Sequence, residues 1–426
     1  MDILYDACAG LDVHKASVSA CVRRVDARGR AANKVREFQT MTEDILRMGD
    51  WMASQGVRHV AMESTGVYWK PIWNLLEERF ELMLCNARDV KNVPGRKTDT
   101  SDCQWLAKLL QHGLLSSSFV PPKPNRELRD LTRHRAQLAG EHTRVVNRIA
   151  KTLEDANIKL SSVASDIMGK SGRLMIEAII QGEKDPGKLA DFAQRKLREK
   201  IPELKRALRG GAGDHHRFML RTLYEHLKYL EGAMADIEQR IELLLHSEEL
   251  NRAPAEDGAL PFDEAAALLV TIPGIKSCIA HAVVAEIGTN MKQFPSSGHL
   301  ASWAGVCPGN NESAGKRRSG KTTKGNRWLK RTLTQAAWAA SHTKNTYLAE
   351  HFRRIARRRG KKRALTALSH TLLTIIYTML ANNMPYEDLG PNYYETIAPE
   401  SRARYYKKQL EKLGFKVTLE ESEMAA

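Results

Sequence analysis

Eight apolar residues, Leu220, Leu223, Leu227, Leu230, Met234, Ile237, Ile241 and Leu244, are spaced 3, 4, 3, 4, 3, 4, 3 along the middle of the chain. A strand scatters such a set over both faces, whereas an α-helix lines it up on one stripe, so an unbroken a/d heptad predicts a coiled coil. The spacing leaves the partner open: the seam pairs either with another helix of the same chain or with a second copy. A suitable helix lies upstream. After the Pro-rich break PPKPN (Pro121 to Asn125), residues Arg126 to Leu160 carry Leu128, Leu131, Leu138, Val145, Ile149 and Leu153 among many charges, which suits a long helix with one narrow apolar seam. Between the two helices, Asp166 to Gly213 mixes short helical pieces with the flexible RGGAG.

The first quarter has a different texture. Short apolar runs at Cys8 to Val13, Ser17 to Val22 and Val57 to Met62 alternate with helical stretches and read as an open α/β sheet. Four carboxylates stand at informative places: Asp12 in GLDVHK, Glu63 in AMESTG, and Asp99 with Asp102 in KTDTSD. The last two are three apart where a helix is predicted over Ser101 to His112, so both point to one side of it. Two strand carboxylates and a helical pair suit two divalent ions about 4 Å apart, the arrangement that clamps the attacking and leaving oxygens of a phosphodiester. Oxygen donors without His or Cys favour Mg²⁺ or Mn²⁺. The plainer alternative is a helix cap and ordinary strand-end acids. It weakens when the four are taken together, because an acid within an apolar strand pattern is costly to bury unpaired.

Composition points to a polyanionic partner: 66 Lys plus Arg stand against 50 Asp plus Glu in 426 residues, a net charge of +16. The excess is clustered. Lys316, Arg317, Arg318, Lys321, Lys324, Arg327, Lys330 and Arg331 make eight of sixteen residues basic, and eight of eleven are basic between Arg353 and Arg363. A charge run is often only a solvated face; beside a phosphoryl-transfer site two such runs read as phosphate contacts. The six cysteines form no CxxC pair, which argues against a zinc module or a disulfide framework and for reduced thiols in a cytoplasm. The N-terminus shows no signal-peptide pattern. Ala364 to Tyr386 lacks Asp, Glu, Lys and Arg, yet eight Ser, Thr, His or Asn residues interrupt it, so it is expected to be a buried helix rather than a membrane span.

From Ala265 onward, LLVTIPGIKSCIAHAVVAEIG predicts two apolar helices around the turn Ile272-Pro273-Gly274-Ile275. This reads as a helix-hairpin-helix whose turn at Gly274 binds a phosphate, or as a plain αα-hairpin. A polar, basic loop follows, CPGNNESAGKRRSGKTTKGN, better suited to chemistry than to packing.

The four acids, the coiled-coil middle and IPGI...AEIG...SWAGVCPGNNESAGKRRSGKTTKGN together resemble the IS-one-ten family of insertion-sequence transposases, which includes Piv-type DNA invertases and bridge-RNA-guided recombinases. The resemblance runs from Leu11 to about Leu380 in matching order. It implies a multidomain α/β plus α chain: an N-terminal RNase H-like, RuvC-like domain (1–125) carrying the metal-binding acids Asp12, Glu63, Asp99 and Asp102; a helical coiled-coil region (126–260); a mainly helical transposase domain (261–390) bearing a serine nucleophile; and a tail (391–426). By motif the serine is Ser313 in NNESAGK, with Ser319 in RRSGK as the alternative. The resemblance further implies Mg²⁺ or Mn²⁺ as cofactor, donor and target DNA and a noncoding bridge RNA as partners, and a nucleoid-associated cytoplasmic enzyme. It implies homodimers assembling to tetramers, with Ser313 of one protomer completing the acid site of another and the heptad seam as the dimerising element. RNA contacts are expected from Arg126, Arg129, Arg133, Arg135, Arg144 and Arg148 and from the C-terminal basic run.

Residue chemistry suits this division. A serine hydroxyl needs activation, no His lies within a few residues of Ser313, and a phosphoserine ester conserves the bond energy that attack by water discards. Lys316, Arg317 and Arg318 are placed to stabilise charge on the phosphoryl oxygens. Two other classes remain: a metal-dependent nuclease or junction resolvase using water, for which Ser313 is dispensable, and a non-enzymatic nucleic-acid scaffold, for which neither the acids nor Ser313 matter.

Overall fold

The computed structural model describes residues 3–26, 29–64, 66–86, 90, 101–256, 258–309, 311–313, 316–396 and 399–418. Two compact units divide at Lys123 and Pro124.

The first unit is built on a mixed five-stranded sheet of order β3-β2-β1-β4-β5, from β1 (Ala7–Val13), β2 (Ser17–Val25), β3 (Ala31–Gln39), β4 (His59–Glu63) and β5 (Glu81–Cys85). β1, β4 and β5 run parallel, while β2 is antiparallel to both β1 and β3. Alternation sorts the side chains into two layers. Ala9, Leu11, Val13, Val60 and Met62 pack under α1 (Thr42–Ser54) and α2 (Trp69–Leu76), through Ile45, Met48, Ile72 and Leu76. On the opposite face Cys8, Ala61 and Cys85 meet Trp105, Leu106 and Leu109 of α3 (Asp102–Gln111). A mixed sheet covered by helices on both faces is consistent with an RNase H-like fold.

Three buried thiols meet between the sheet and α3: Cys8 on β1, Cys21 on β2 and Cys103 on α3 itself. Burial pushes Cys8 up to about 11 and Cys21 up to about 12, so both behave as small apolar side chains.

The second unit begins with two long helices, α4 (Lys123–Asp155) and, after several short ones including α5 (Lys170–Gln181), α6 (Asp214–Leu245). They run antiparallel, as the ion pairs Arg135–Glu238, His142–Glu231 and His216–Asp155 show. Leu220, Leu227 and Leu230, at most 1% exposed, pack on Leu138, Val145, Ile149 and Leu153 of α4 and on Met175 and Ile179 of α5. The heptad seam therefore closes within the chain and does not serve as a dimerising element, because the chain's own helices cover it. Its far end, Ile241 and Leu244, enters the next core.

That core gathers α7 (Phe262–Val270), α8 (Ser277–Ile287), α9 (Ser297–Ala304), α10 (Arg327–His342), α11 (Tyr347–Arg359) and α12 (Lys361–Asn382). By length and composition α12 passes as a membrane span, yet Leu368, Leu372, Leu373 and Ile376 are fully buried at the centre of this protein core.

Candidate active site

In the parallel register of β1 and β4, Leu11 lies opposite Met62, so the next residues, Asp12 and Glu63, stand side by side where the two strands end. Both have the parity of Cys8 and Ala61 and so belong to the face covered by α3. Asp102 is the first residue of α3, and the Asp12 charge helps to raise the neighbouring Cys103 thiol, behind the larger effect of burial. Three of the four acids thus share one face of the sheet. Asp99 lies outside the described residues. Among the described residues no three His, Cys, Asp or Glu side chains already close into a metal site.

Gly10 makes this placement possible. A Cβ there would come 2.3 Å from the Cys103 carbonyl oxygen, 2.5 Å from the Ala107 nitrogen and 2.9 Å from the Leu106 Cβ. Only glycine lets α3 lie so close to β1, and that closeness brings Asp102 to the end of the strand that carries Asp12. His14, which sequence reasoning passed over, places Nε2 3.3 Å from Asp12 Oδ2.

The basic loop holds a β-hairpin, β6 (Asn311–Ser313) and β7 (Lys316–Ser319), with Ser313 paired to Lys316 next to the tip and Ser319 paired to Asn311 at the other end of the ladder. The side chains of these two strands lie outside the described residues. The stem below them is firmly held. Pro308 bridges to Thr322, the Gly309 amide donates to the Lys321 carbonyl at 2.9 Å, and Lys330 donates to Thr322 at 2.7 Å. At the root, Gly305 and Gly325 touch backbone to backbone: a Cβ on Gly325 would sit 2.3 Å from the Gly305 nitrogen, and both residues have positive φ.

One buried acid ties this root to the long helix. Glu286, 2% exposed, accepts from Arg133 at 2.6 and 2.8 Å and from Asn326 Nδ2 at 2.7 Å, with Arg129 Nε at 3.9 Å. Asn326 in turn caps α10 by accepting from the Trp328 and Leu329 amides. Arg129 also donates to the carbonyls of Ala285 and Glu286, and burial lowers its guanidinium to about 10. The Arg129 and Arg133 guanidiniums, expected on RNA, are thus engaged within the protein by Glu286 and its neighbouring carbonyls, and Arg135 pairs with Glu238.

Comparison with known proteins decides the family. A family model described as a transposase, the DEDD type of IS110, matches residues 9–158, and a second, described as transposase of the IS116/IS110/IS902 family, matches residues 266–353. The chain belongs to the IS110 family of transposases. It is similar to the insertion element IS110 uncharacterized 43.6 kDa protein of Streptomyces coelicolor, at 24% identity over 72% of this chain and 76% of that protein. It also resembles the pilin gene-inverting proteins of Moraxella bovis and Moraxella lacunata, each at 32% identity over 29% of this chain; the match spans 38% of either relative. Membership makes the chain a DNA recombinase.

The first family match contains the three placed acids, and the second contains the whole hairpin. The remaining basic residues of this transposase differ in their surroundings. Lys316, Arg317 and Arg318 belong to β7, Lys321 to the stem, and Lys324 is exposed. Arg327 stacks on Trp328 at 5.0 Å, and Arg331 lines a small cavity with Arg135 and Cys278. All eight cations between Arg353 and Arg363 are exposed. Gly274 has φ +92, and a Cβ on it would lie 2.4 Å from the Ala340 nitrogen, so packing against α10 by itself requires glycine in that turn.

Proposed function

We propose that this transposase cuts and rejoins DNA strands through a phosphoserine intermediate on Ser313, with divalent metal held by Asp12, Glu63, Asp102 and Asp99. The observation that carries the reading is the shared face of Asp12, Glu63 and Asp102 at the ends of two adjacent parallel strands, in a family of DNA recombinases. The donor set fits: Asp12 and Glu63 are half-buried, Asp102 is exposed, and carboxylate oxygens suit Mg²⁺ or Mn²⁺. Bound there, such ions supply electrophilic activation of a phosphodiester.

The chain supplies the rest. Ser313 Oγ forms the new bond to phosphorus as the bond to the leaving deoxyribose oxygen breaks, and reversal with a different hydroxyl rejoins the strands. Lys316, Arg317 and Arg318, beside it on β7, neutralise the phosphoryl oxygens. The stem and the Glu286 network hold this hairpin in place, so that attack starts from a fixed geometry. Completion of one protomer's acid site by Ser313 of another, in dimers and in tetramers on DNA, rests on the family resemblance. Choice of target by a bridge RNA rests on the family resemblance and on the net charge of +16.

Single replacements test the acids. Asp12→Ala, Glu63→Ala and Asp102→Ala are expected to abolish cleavage while retaining nucleic-acid binding. Full cleavage by all three would remove the acid site from the reaction.

A further inference from the structure

Beneath the hairpin stem opens a cleft of about 680 Å³ that the reaction as described does not use. Pro308 and Thr322, the pair that bridges the stem, form one wall. The opposite wall is a stripe of α12, Arg363, Thr366, Ala367 and His370 at helical spacing, with Ile355 of α11 beside it. Apolar surface from Val306, Ile355 and Ala367 floors the cleft, and Lys362 and Arg363 stand at its edge.

Three of the polar groups here stand apart from the rest of the lining. Among the described residues the side chains of Lys362, Arg363 and His370 make no hydrogen bond or ion pair within the protein. His351, which also lines the cleft, differs: its Nδ1 bonds the Tyr394 hydroxyl and its Nε2 lies 3.2 Å from Thr371 Oγ1. Two cations, one histidine edge and an apolar floor match the parts of a nucleotide: phosphate, base edge and base face.

We propose that this cleft seats one unstacked nucleotide of the DNA strand held by the serine hairpin, with the base against Ala367 and Ile355, its edge on His370 and its phosphate on Lys362 and Arg363. DNA is favoured over RNA by location. Five residues of extended chain, at most about 18 Å, separate Pro308 in the cleft wall from Ser313, so the seated nucleotide lies within a few steps of the phosphate under attack. The cleft's role near the scissile phosphate rests on Ser313 as nucleophile. Extrusion of a base there would fix the register of the strand and leave its neighbours unstacked for exchange.

The test is photocross-linking of the full-length protein to a single-stranded DNA carrying 5-iodouracil at successive positions, followed by peptide mapping. Cross-links are expected on the α11 and α12 peptides that contain His351 and His370. Yield there should fall about tenfold in Ala367→Trp, which fills the floor, and in the double variant Lys362→Ala with Arg363→Ala. Thr378→Phe, exposed on α12 outside the cleft, should keep it. Cross-links confined to other peptides, or unchanged yields in both cleft variants with normal circular dichroism, would overturn the proposal. So would equal or stronger cross-linking of these peptides by RNA of the same sequence. Cross-linking needs no cleavage, so absence of these cross-links in the wild-type protein beside an intact Ser313 adduct sinks the cleft alone, and the reverse result sinks the nucleophile alone.

Discussion

Gly10→Ala is the smallest change that should disable the acid site without touching an acid. The new Cβ would lie 2.3 Å from the Cys103 carbonyl oxygen, where ordinary contact begins at 3.4 Å, so β1 and α3 must separate by about 1 Å. Neither obstacle nearest to it is a flexible side chain: the Cys103 oxygen and the Ala107 nitrogen are both helix backbone. Overpacking of this kind costs about 1–3 kcal/mol, which a folded domain of ordinary stability survives. The functional cost is larger, because Asp102 moves with α3 while Asp12 and Glu63 stay with the sheet, and a displacement of ~1 Å in a catalytic constellation lowers rate about 100-fold. The assay pairs strand cleavage with circular dichroism and thermal unfolding on the same preparation. A variant that unfolds a few degrees early and cleaves about 100-fold more slowly fits the argument. Wild-type cleavage by Gly10→Ala would show that the α3–β1 distance does not set the site.

Three further outcomes follow from packing and charge. Glu286→Ala leaves Arg129 and Arg133 without their buried partner and should cost about 3–5 kcal/mol, read as a lowered unfolding midpoint, whereas an unchanged midpoint would make the network ornamental. Leu227→Asp with Leu230→Asp should expose the α4–α6 pair to proteolysis at unchanged oligomeric state, since the seam is internal; dissociation of an oligomer with both helices intact would contradict this. Alkylation at pH 8 should spare Cys8 and Cys21 in the native protein, because thiols held up at about 11 and about 12 are protonated there and yield thiolate only as pH rises through those values; rapid modification of either would contradict their burial.

Much of the first unit was legible because its strands are apolar and its acids interrupt them. Cys8 to Val13 and Ser17 to Val22 emerged as β1 and β2, and the helix expected at Ser101 is α3. β3 escaped notice: AANKVREFQ is an edge strand exposed along nearly its whole length, with no alternation to betray it. That Asp12 and Glu63 share a face needs the β1–β4 register, which no local pattern supplies. The heptad announced a helix pair and stayed silent about the partner, which only the covering by α4 and α5 reveals. Around the serine the reasons are longer in range still. Gly305 and Gly325 are twenty residues apart in sequence and in contact at the hairpin's root, and Glu286 in AEIG reads as a surface acid until Arg133 and Asn326 are seen to close on it.

The central claim is the serine ester, and trapping it tests that claim most directly. A suicide DNA substrate, nicked so that the cleaved strand diffuses away, should leave a protein–DNA adduct that survives denaturation and maps by mass spectrometry to the peptide containing Ser313, with the adduct lost in Ser313→Ala and kept in Ser319→Ala. Efficient cleavage with no adduct, or an adduct mapped to Ser319, would contradict it.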